Sequence, residues 1–202
     1  MYITLTSLVL ASSSPRRREM LSRLGLEFKI VGSDVDETVN LPVSPELAAQ
    51  ELARRKALAV VARFEPSEDH WFLGVDTVVV LDGRILGKPA DRAQAEEFLQ
   101  GLSGRWHEVV SGYCLIHPPT RRQALRSVSS RALFKTLGPD EIAAYLETDE
   151  PWDKAGAYAV QGIAGYMVER LDGSFTNVVG LPLTELVEDM RRLGIIAPRR
   201  KR

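Results

Sequence analysis

Cysteine is nearly absent: Cys114 is the single one in 202 residues. That excludes an intrachain disulfide and a zinc site built on several thiolates, and it suits a reducing compartment. Long apolar runs are missing too, since no stretch approaches the roughly 18 uninterrupted apolar residues of a spanning helix. Met1 to Val9 has neither the basic start nor the apolar run of an export signal. We therefore expect a cytoplasmic protein with no membrane partner. Nor is there a surplus of cations. Lys and Arg number 26 against 27 Asp and Glu, and four of those cations fall in Pro198–Arg202, which leaves 22 against 27 elsewhere. Binding along a nucleic-acid duplex needs many spread cations, so no nucleic-acid partner is expected. Aromatic residues are sparse at 7%, but 45% hydrophobic and 26% charged residues describe a folded domain and not a disordered, collagenous or coiled-coil chain. No internal repeat, low-complexity tract or internal linker interrupts it.

What is present alternates between helix and strand signals. Leu8 to Ala11 reads as a strand, after which Ser14-Pro15 opens a helix that Gly25 stops. Glu27 to Val31 reads as a second strand, followed by an acidic loop with Asp34, Asp36 and Glu37. Ser44-Pro45 then repeats the helix-start chemistry, with Leu47, Ala48, Leu52, Ala53, Val60 and Val61 as the apolar stripe. Trp71 to Leu81 is rich in β-branched residues, and Asp82-Gly83 before Arg84 to Leu86 is a two-residue hairpin signal. Asp91 caps a helix to Leu102. Trp106 to Ile116 and Gln123 to Phe134 read as long strands around Pro118-Pro119. A short helix follows from Gly138-Pro139 to Leu146, then a surface loop from Glu147 to Lys154. Tyr158 to Val168 reads as glycine-interrupted β sequence, and Pro182 to Leu193 as a final amphipathic helix. Hairpins among alternating helices and strands predict an α/β fold with a mixed sheet. The expected organisation is one domain over 1–197 with a basic tail at 198–202.

Several short runs carry candidate chemistry. In Ser12-Ser13-Ser14-Pro15-Arg16-Arg17, free backbone N–H groups, a helix dipole and two guanidinium groups meet where a phosphate chain would sit. An ordinary capped helix with solvated arginines explains the same residues. Asp76, in Gly74-Val75-Asp76-Thr77, is flanked by valines and is costly to bury without a partner or a metal; a backbone turn satisfying it is the bland account. Gly83 to Pro89 resembles a nucleotide-binding glycine loop but fails it, because the glycines are one residue too close and Pro89 replaces the magnesium-binding Ser or Thr. There Lys88 is either a cleft lysine or a solvated turn lysine. Lys56 lies in a small apolar helical segment, and spacing does not choose between a functional cation and a snorkelling one. Gln161 sits among small residues, where its amide can both donate to and accept from a base edge. Gly173 to Pro182 reads as a loop into the last helix, its residues serving turn formation and N-terminal capping at least as readily as ligand contact. His70, His107 and His117 lack metal-site spacing, and neither Ser103 nor Cys114 has a nucleophile-elbow context.

Taken in order, Ser-x-Ser-Pro-Arg-Arg, Asp36-Glu37-Thr38, Lys56-Ala57, Asp76-Thr77, Gly87-Lys88-Pro89, Leu102-Ser103-Gly104, Asp153-Lys154-Ala155-Gly156 and Asn177-Val178-Val179-Gly180-Leu181-Pro182 closely resemble the Maf family of nucleotide pyrophosphatases. The likeness runs from Leu10 to about Leu186. It implies a fold similar to the inosine triphosphate pyrophosphatases, with an elongated mixed sheet, flanking helices and two lobes around a cleft, commonly in a homodimer. It also implies hydrolysis of a nucleoside triphosphate to monophosphate and pyrophosphate with a divalent cation, Mg2+ or Mn2+. Tyr158 to Gly162 is similar to the branch acting on dTTP and UTP, although Ala159 stands where many members have glycine. By that resemblance Asp76 is the catalytic carboxylate, and Arg17, Thr77 and Gln161 influence substrate choice. Ser12, Ser14, Arg16, Lys56 and Lys88 hold the phosphates, and Glu37 joins Asp76 in assisting the metal. The competing readings are a pyrophosphatase for another modified nucleotide, a nucleotide-responsive regulator of septum formation without turnover, and a nucleic-acid-binding module using the basic tail.

Overall fold

The computed structural model describes residues 1–37 and 44–199. Strand β1 (Tyr2–Thr4) precedes β2 (Ser7–Ala11). Helix α1 (Pro15–Arg23) starts where Ser14 caps it, its side chain accepting from the Arg17 amide, with proline in the first turn. The two-residue β3 (Lys29–Ile30) is shorter than its sequence suggests. Helix α2 (Pro45–Val61) repeats the serine cap and proline start. Next come β4 (His70–Leu81), β5 (Arg84–Leu86), α3 (Arg92–Leu102, capped by Asp91), β6 (Trp106–His117) and β7 (Arg122–Phe134). Asp82 and Gly83 join β4 to β5 at φ of 52° and 75°, the twist that a two-residue hairpin needs. After α4 (Pro139–Tyr145) the chain forms 3-10 turns, then β8 (Val168–Asp172), α5 (Phe175–Val179), α6 (Leu183–Arg192) and β9 (Ile196–Pro198).

Three of these findings correct the sequence reading. Tyr158 to Val168 is not a strand: residues 158–162 are irregular, a 3-10 turn covers Ile163–Met167, and β structure begins only at Val168. Two of its amides find a side-chain acceptor instead of a neighbouring strand, as described below. Helix α5 lies inside a run read as loop. Pro198, assigned to the tail, pairs with Tyr2 in β9, and the Arg199 amide donates to the Met1 carbonyl; 200–202 lie outside the described residues, as does Thr38 of the acidic fragment.

The sheet is mixed, with strand order β3-β2-β4-β6-β7-β8 and β5 paired to β4. Strand β2 runs parallel to β3 and β4, whereas β5 on β4 and β8 on β7 are antiparallel. The chain divides into two compact units, Met1–Asp76 with Ser111–Ser127 and Gly180–Arg202, and Thr77–Val110 with Val128–Val179. Each has its own apolar core. In the first, alternate residues of β4 face opposite ways. Trp71, Leu73 and Val75 pack with Leu10, Leu21, Leu115, Leu186 and Met190, whereas Phe72 packs with Val9 and Val60 of α2. Gly74 lies on that α2 face and Asp76 follows it. The second core gathers Leu99, Leu102, Phe134, Ile142, Tyr158 and Met167.

Buried polar groups are mostly matched. Asp189 on α6 accepts from the Tyr113 hydroxyl at 2.6 Å and from Arg192 at 2.7 Å. Burial pushes its carboxyl up, but these donors outweigh burial and hold it below the usual value. Cys114 packs, fully buried, against Ala53 and Ala57, and burial pushes its thiol up to about 12. Since the thiolate is the reactive form, a thiol reagent at pH 8 is expected to leave the folded protein unmodified and to titrate one thiol in guanidinium; ready reaction without denaturant contradicts this packing.

Candidate active site

The first unit assembles a charged cluster from four segments. Small residues set the distances: Ala49, Ala53 and Ala57 recur every fourth residue along one buried face of α2, so that face can approach the sheet closely. Opposite it are glycines. A Cβ on Gly74 would stand 2.1 Å from the Ala53 carbonyl oxygen, and one on Gly112 would stand 2.3 Å from that of Ala49. Only this close approach lets Lys56, next to Ala57 on α2, reach a side chain rooted in β4. Its Nζ donates to Asp76 Oδ1 at 2.5 Å and to Glu37 Oε1 at 2.7 Å. The Lys56 and Asp76 side chains are each 9% exposed and that of Glu37 is 40% exposed. The cluster is thus open on the Glu37 side. The Lys56 ammonium is buried and ion-paired and does not snorkel to solvent.

Arg17 fixes the other flank. Its Nε donates to the Gly180 carbonyl at 2.9 Å, and its Nη1 to the Val75 carbonyl at 3.0 Å and the Ser12 hydroxyl at 3.3 Å. One guanidinium therefore ties the start of α1, the backbone beside Asp76 and the turn before α6. Ser12 Oγ also accepts from the Ser14 amide at 3.2 Å. Burial pushes the Asp76 carboxyl above its ordinary range; Lys56 and Arg17 pull it down without cancelling that cost. Burial lowers the Arg17 pKa, against the pull of Asp76. A carboxylate whose proton affinity is raised is a better base than a solvated aspartate.

The first unit thus holds Ser12, Ser14, Arg16, Arg17, Glu37, Lys56 and Asp76. Thr77, Lys88 and Gln161 belong to the second unit. Thr77 follows Asp76 on β4 and is half-buried, while Lys88 and Gln161 are exposed. The carbonyl of Gly87 accepts from the Gly156 amide at 3.0 Å, and Gly156 and Ala157 both have positive φ, 67° and 61°. The Ala155–Ala157 turn therefore braces the turn that carries Lys88. Asn177 is buried, and its Nδ2 donates to the Val109 carbonyl and to Ser130 Oγ, each at 3.0 Å. In that run the Asn177 amide donates to Ser174 Oγ at 3.3 Å, a capping contact. His107 is buried against Phe134 and Tyr158, with its pKa pushed down to about 4 by burial. A first-unit cavity of about 360 Å³, lined by residues 4–8 and 27–29, contains none of the candidate residues.

The donor set suits a hard divalent cation. Asp76 and Glu37 already converge on one positive charge, the Lys56 ammonium, and Mg2+ typically takes one or two carboxylates plus substrate phosphate oxygens. Among the described residues no group of three or more His, Cys, Asp and Glu side chains forms a protein-only metal cage. Nor is any helix among them long and apolar enough to cross a membrane.

A family model described as Maf-like protein matches residues 7–193. The chain belongs to the Maf-like family. Among its relatives, a Geobacter sulfurreducens protein named dTTP/UTP pyrophosphatase is 50% identical over 189 residues, covering 94% of this chain and 97% of its own. Its namesake from Geobacter metallireducens is 49% identical with the same coverage, and one from Caldicellulosiruptor bescii is 43% identical over 93% of this chain and 94% of its own. Among solved structures, the Staphylococcus aureus Ham1 protein aligns over 93% of this chain and 99% of its own, at 14% identity and a TM-score of 0.47. A Mycobacterium abscessus nucleoside-triphosphatase / dITP/XTP pyrophosphatase aligns over 93% and 97%, at 16% identity and a TM-score of 0.43.

Sequence reasoning overlooked two contributors. Gly74 and Gly112 were visible only as glycines in strand sequence, where a close backbone approach is the standing explanation.

Proposed function

We propose that this Maf-like protein hydrolyses nucleoside triphosphates, dTTP and UTP preferentially, to the monophosphate and pyrophosphate. The observation that carries the reading is the buried Asp76 carboxylate, held by Lys56 and flanked by the serine- and arginine-bearing start of α1. Water attacks the α-phosphorus, forming a new Pα–O bond as the bond to the bridging oxygen breaks. The electron pair leaves with pyrophosphate. Asp76 orients the water and takes its proton. Arg16, Lys56 and Lys88 offset charge on the phosphate chain, while Ser12 and Ser14 donate to its oxygens. These are interactions that strengthen as charge builds on the leaving group. Mg2+ or Mn2+ held by Asp76 and Glu37 would supply Lewis-acid polarisation and acidify bound water.

Arg17, Thr77 and Gln161 set substrate choice in this reading, Arg17 through the backbone it clamps and Gln161 through its amide. Uracil and thymine present two carbonyls around an N–H, an edge that a primary amide complements in part. The cytoplasmic setting and the homodimer belong to the same proposal.

The test is pyrophosphate release across canonical and modified triphosphates, with and without Mg2+, in oxygen-18 water. The expected result is label on the monophosphate and the highest kcat/KM for dTTP and UTP. Label on pyrophosphate contradicts attack at the α-phosphorus, and binding without release contradicts an enzyme altogether. Gln161→Ala is expected to lower the dTTP-to-CTP ratio of kcat/KM about tenfold while triphosphate affinity holds; equal losses for every base would remove Gln161 from base recognition.

A further inference from the structure

An exposed glutamine on irregular chain is a poor discriminator unless its backbone is fixed, because an amide that must be ordered at each encounter loses binding energy to entropy. Gln161 is exposed, and residues 158–162 belong to no strand or helix. Within the second unit, two anchors hold this segment. On its N-terminal side the buried ring of Tyr158 meets Phe134 edge-on at 4.7 Å, and its hydroxyl shares a 2.7 Å hydrogen bond with His107. On its C-terminal side stands Glu150. Its Oε2 accepts from the Ile163 amide at 2.7 Å, and its Oε1 from the Ala164 amide at 2.9 Å and the Tyr145 hydroxyl at 3.1 Å. The two amides open the Ile163–Met167 turn, where backbone donors lack partners within the turn.

The fit of the carboxylate depends on the residue after the glutamine. A Cβ on Gly162 would stand 2.1 Å from Glu150 Oε2 and 2.7 Å from its Cδ. Any side chain there would expel the carboxylate. Glu150 is itself located by neighbours: its amide donates to Thr148 Oγ1 at 3.4 Å, and Tyr145 belongs to α4. Charge-assisted bonds to two successive amides fix a turn in orientation as well as in position. This turn begins two residues beyond Gln161.

We propose that Glu150 is a positioning residue for nucleobase selection, acting through the Ile163 and Ala164 amides to hold the backbone from which Gln161 reads the base. This rests on the reading of Gln161 given above. A carboxylate that merely stabilised the fold would alter all substrates alike. A positioning residue alters the matched base most, and mainly through KM.

The test uses the full chain with Glu150→Ala, Glu150→Gln and Gln161→Ala, measuring kcat and KM for dTTP, UTP and CTP, inhibition by tripolyphosphate, and hydrogen exchange at the Ile163 and Ala164 amides. Glu150→Ala is expected to raise KM for dTTP and UTP by about tenfold, to lower the dTTP-to-CTP ratio by a similar factor and to speed exchange at both amides. Tripolyphosphate inhibition should hold. Glu150→Gln keeps one acceptor oxygen and should fall between, and it carries the test alone if the alanine variant does not fold. Added to Gln161→Ala, either change should leave selectivity where Gln161→Ala put it. A changed ratio in Gln161→Ala with an unchanged one in both Glu150 variants overturns the positioning role and leaves the reading of Gln161 standing. An equal loss for every nucleotide in the Glu150 variants does the same. If Gln161→Ala itself leaves the ratio unchanged, both fall together.

Discussion

Asp76→Asn is expected to lower kcat by about 10²–10⁴, the range for losing a positioned general base, without lowering thermal stability at pH 7 to 8. The two halves have one cause. The amide matches the carboxylate in shape, and its oxygen still accepts from Lys56, which also keeps its 2.7 Å bond to Glu37, while Arg17 keeps its bonds to the Gly180 and Val75 carbonyls. Burial raises the Asp76 pKa, so between the unfolded value and the raised folded one the folded chain binds more protons than the unfolded chain. Stability from this group therefore falls as pH rises through that interval, and the ionised carboxylate is a net cost above it. A neutral amide removes the cost. Near-normal turnover in folded Asp76→Asn would take Asp76 out of the chemistry. A melting temperature that drops along with kcat would make it a structural residue.

What could be read from the sequence was what is decided locally. Ser14-Pro15, Ser44-Pro45 and Asp91 mark helix starts because a cap needs only its own side chain and an amide three residues on, and all three are caps in the structure. Asp82-Gly83 is a hairpin turn because its backbone conformation is set within two residues. The pairing of Tyr2–Thr4 with Ile196–Pro198 joins opposite ends of the chain through strands of three residues, too short to show a period. Tyr158 to Val168 has strand-like composition, but two of its amides, Ile163 and Ala164, are satisfied by Glu150, more than ten residues before them. For the site, the order of short motifs pointed to Ser12, Arg17, Glu37, Lys56 and Asp76, which the first unit gathers, whereas the pairing of Lys56 depended on which face of β4 carries Asp76 and on how near α2 lies. Neither is a property of the segment around Lys56.

That distance yields the second large effect. Gly74→Ala adds one carbon, yet it would lie 2.1 Å from the Ala53 carbonyl oxygen, 2.7 Å from the Ala57 amide nitrogen and 3.0 Å from the Ala57 Cβ. Two of these three are helix backbone, so no rotamer change relieves the clash. Helix α2 must retreat by roughly 1 Å or β4 must bend, and overpacking of this kind costs about 3 kcal/mol, well above the fraction of a kcal/mol that alanine gains by restricting the unfolded chain. At about 2–4 °C per kcal/mol for a chain of this size, the melting temperature should fall by about 6–12 °C. The same retreat withdraws Lys56 from Asp76, two residues beyond the substitution, and a 1 Å misplacement of catalytic groups costs about 10² in rate. Gly32→Ala is the control, because a Cβ there meets nothing within 4 Å, and it should change stability by less than about 0.5 kcal/mol. If Gly74→Ala melts with the wild type and turns over normally, the close packing of α2 on β4 is not what sets the Lys56–Asp76 distance. If it melts lower but turns over normally below its transition, Lys56 tolerates the displacement and acts through charge at longer range, not through the direct bond.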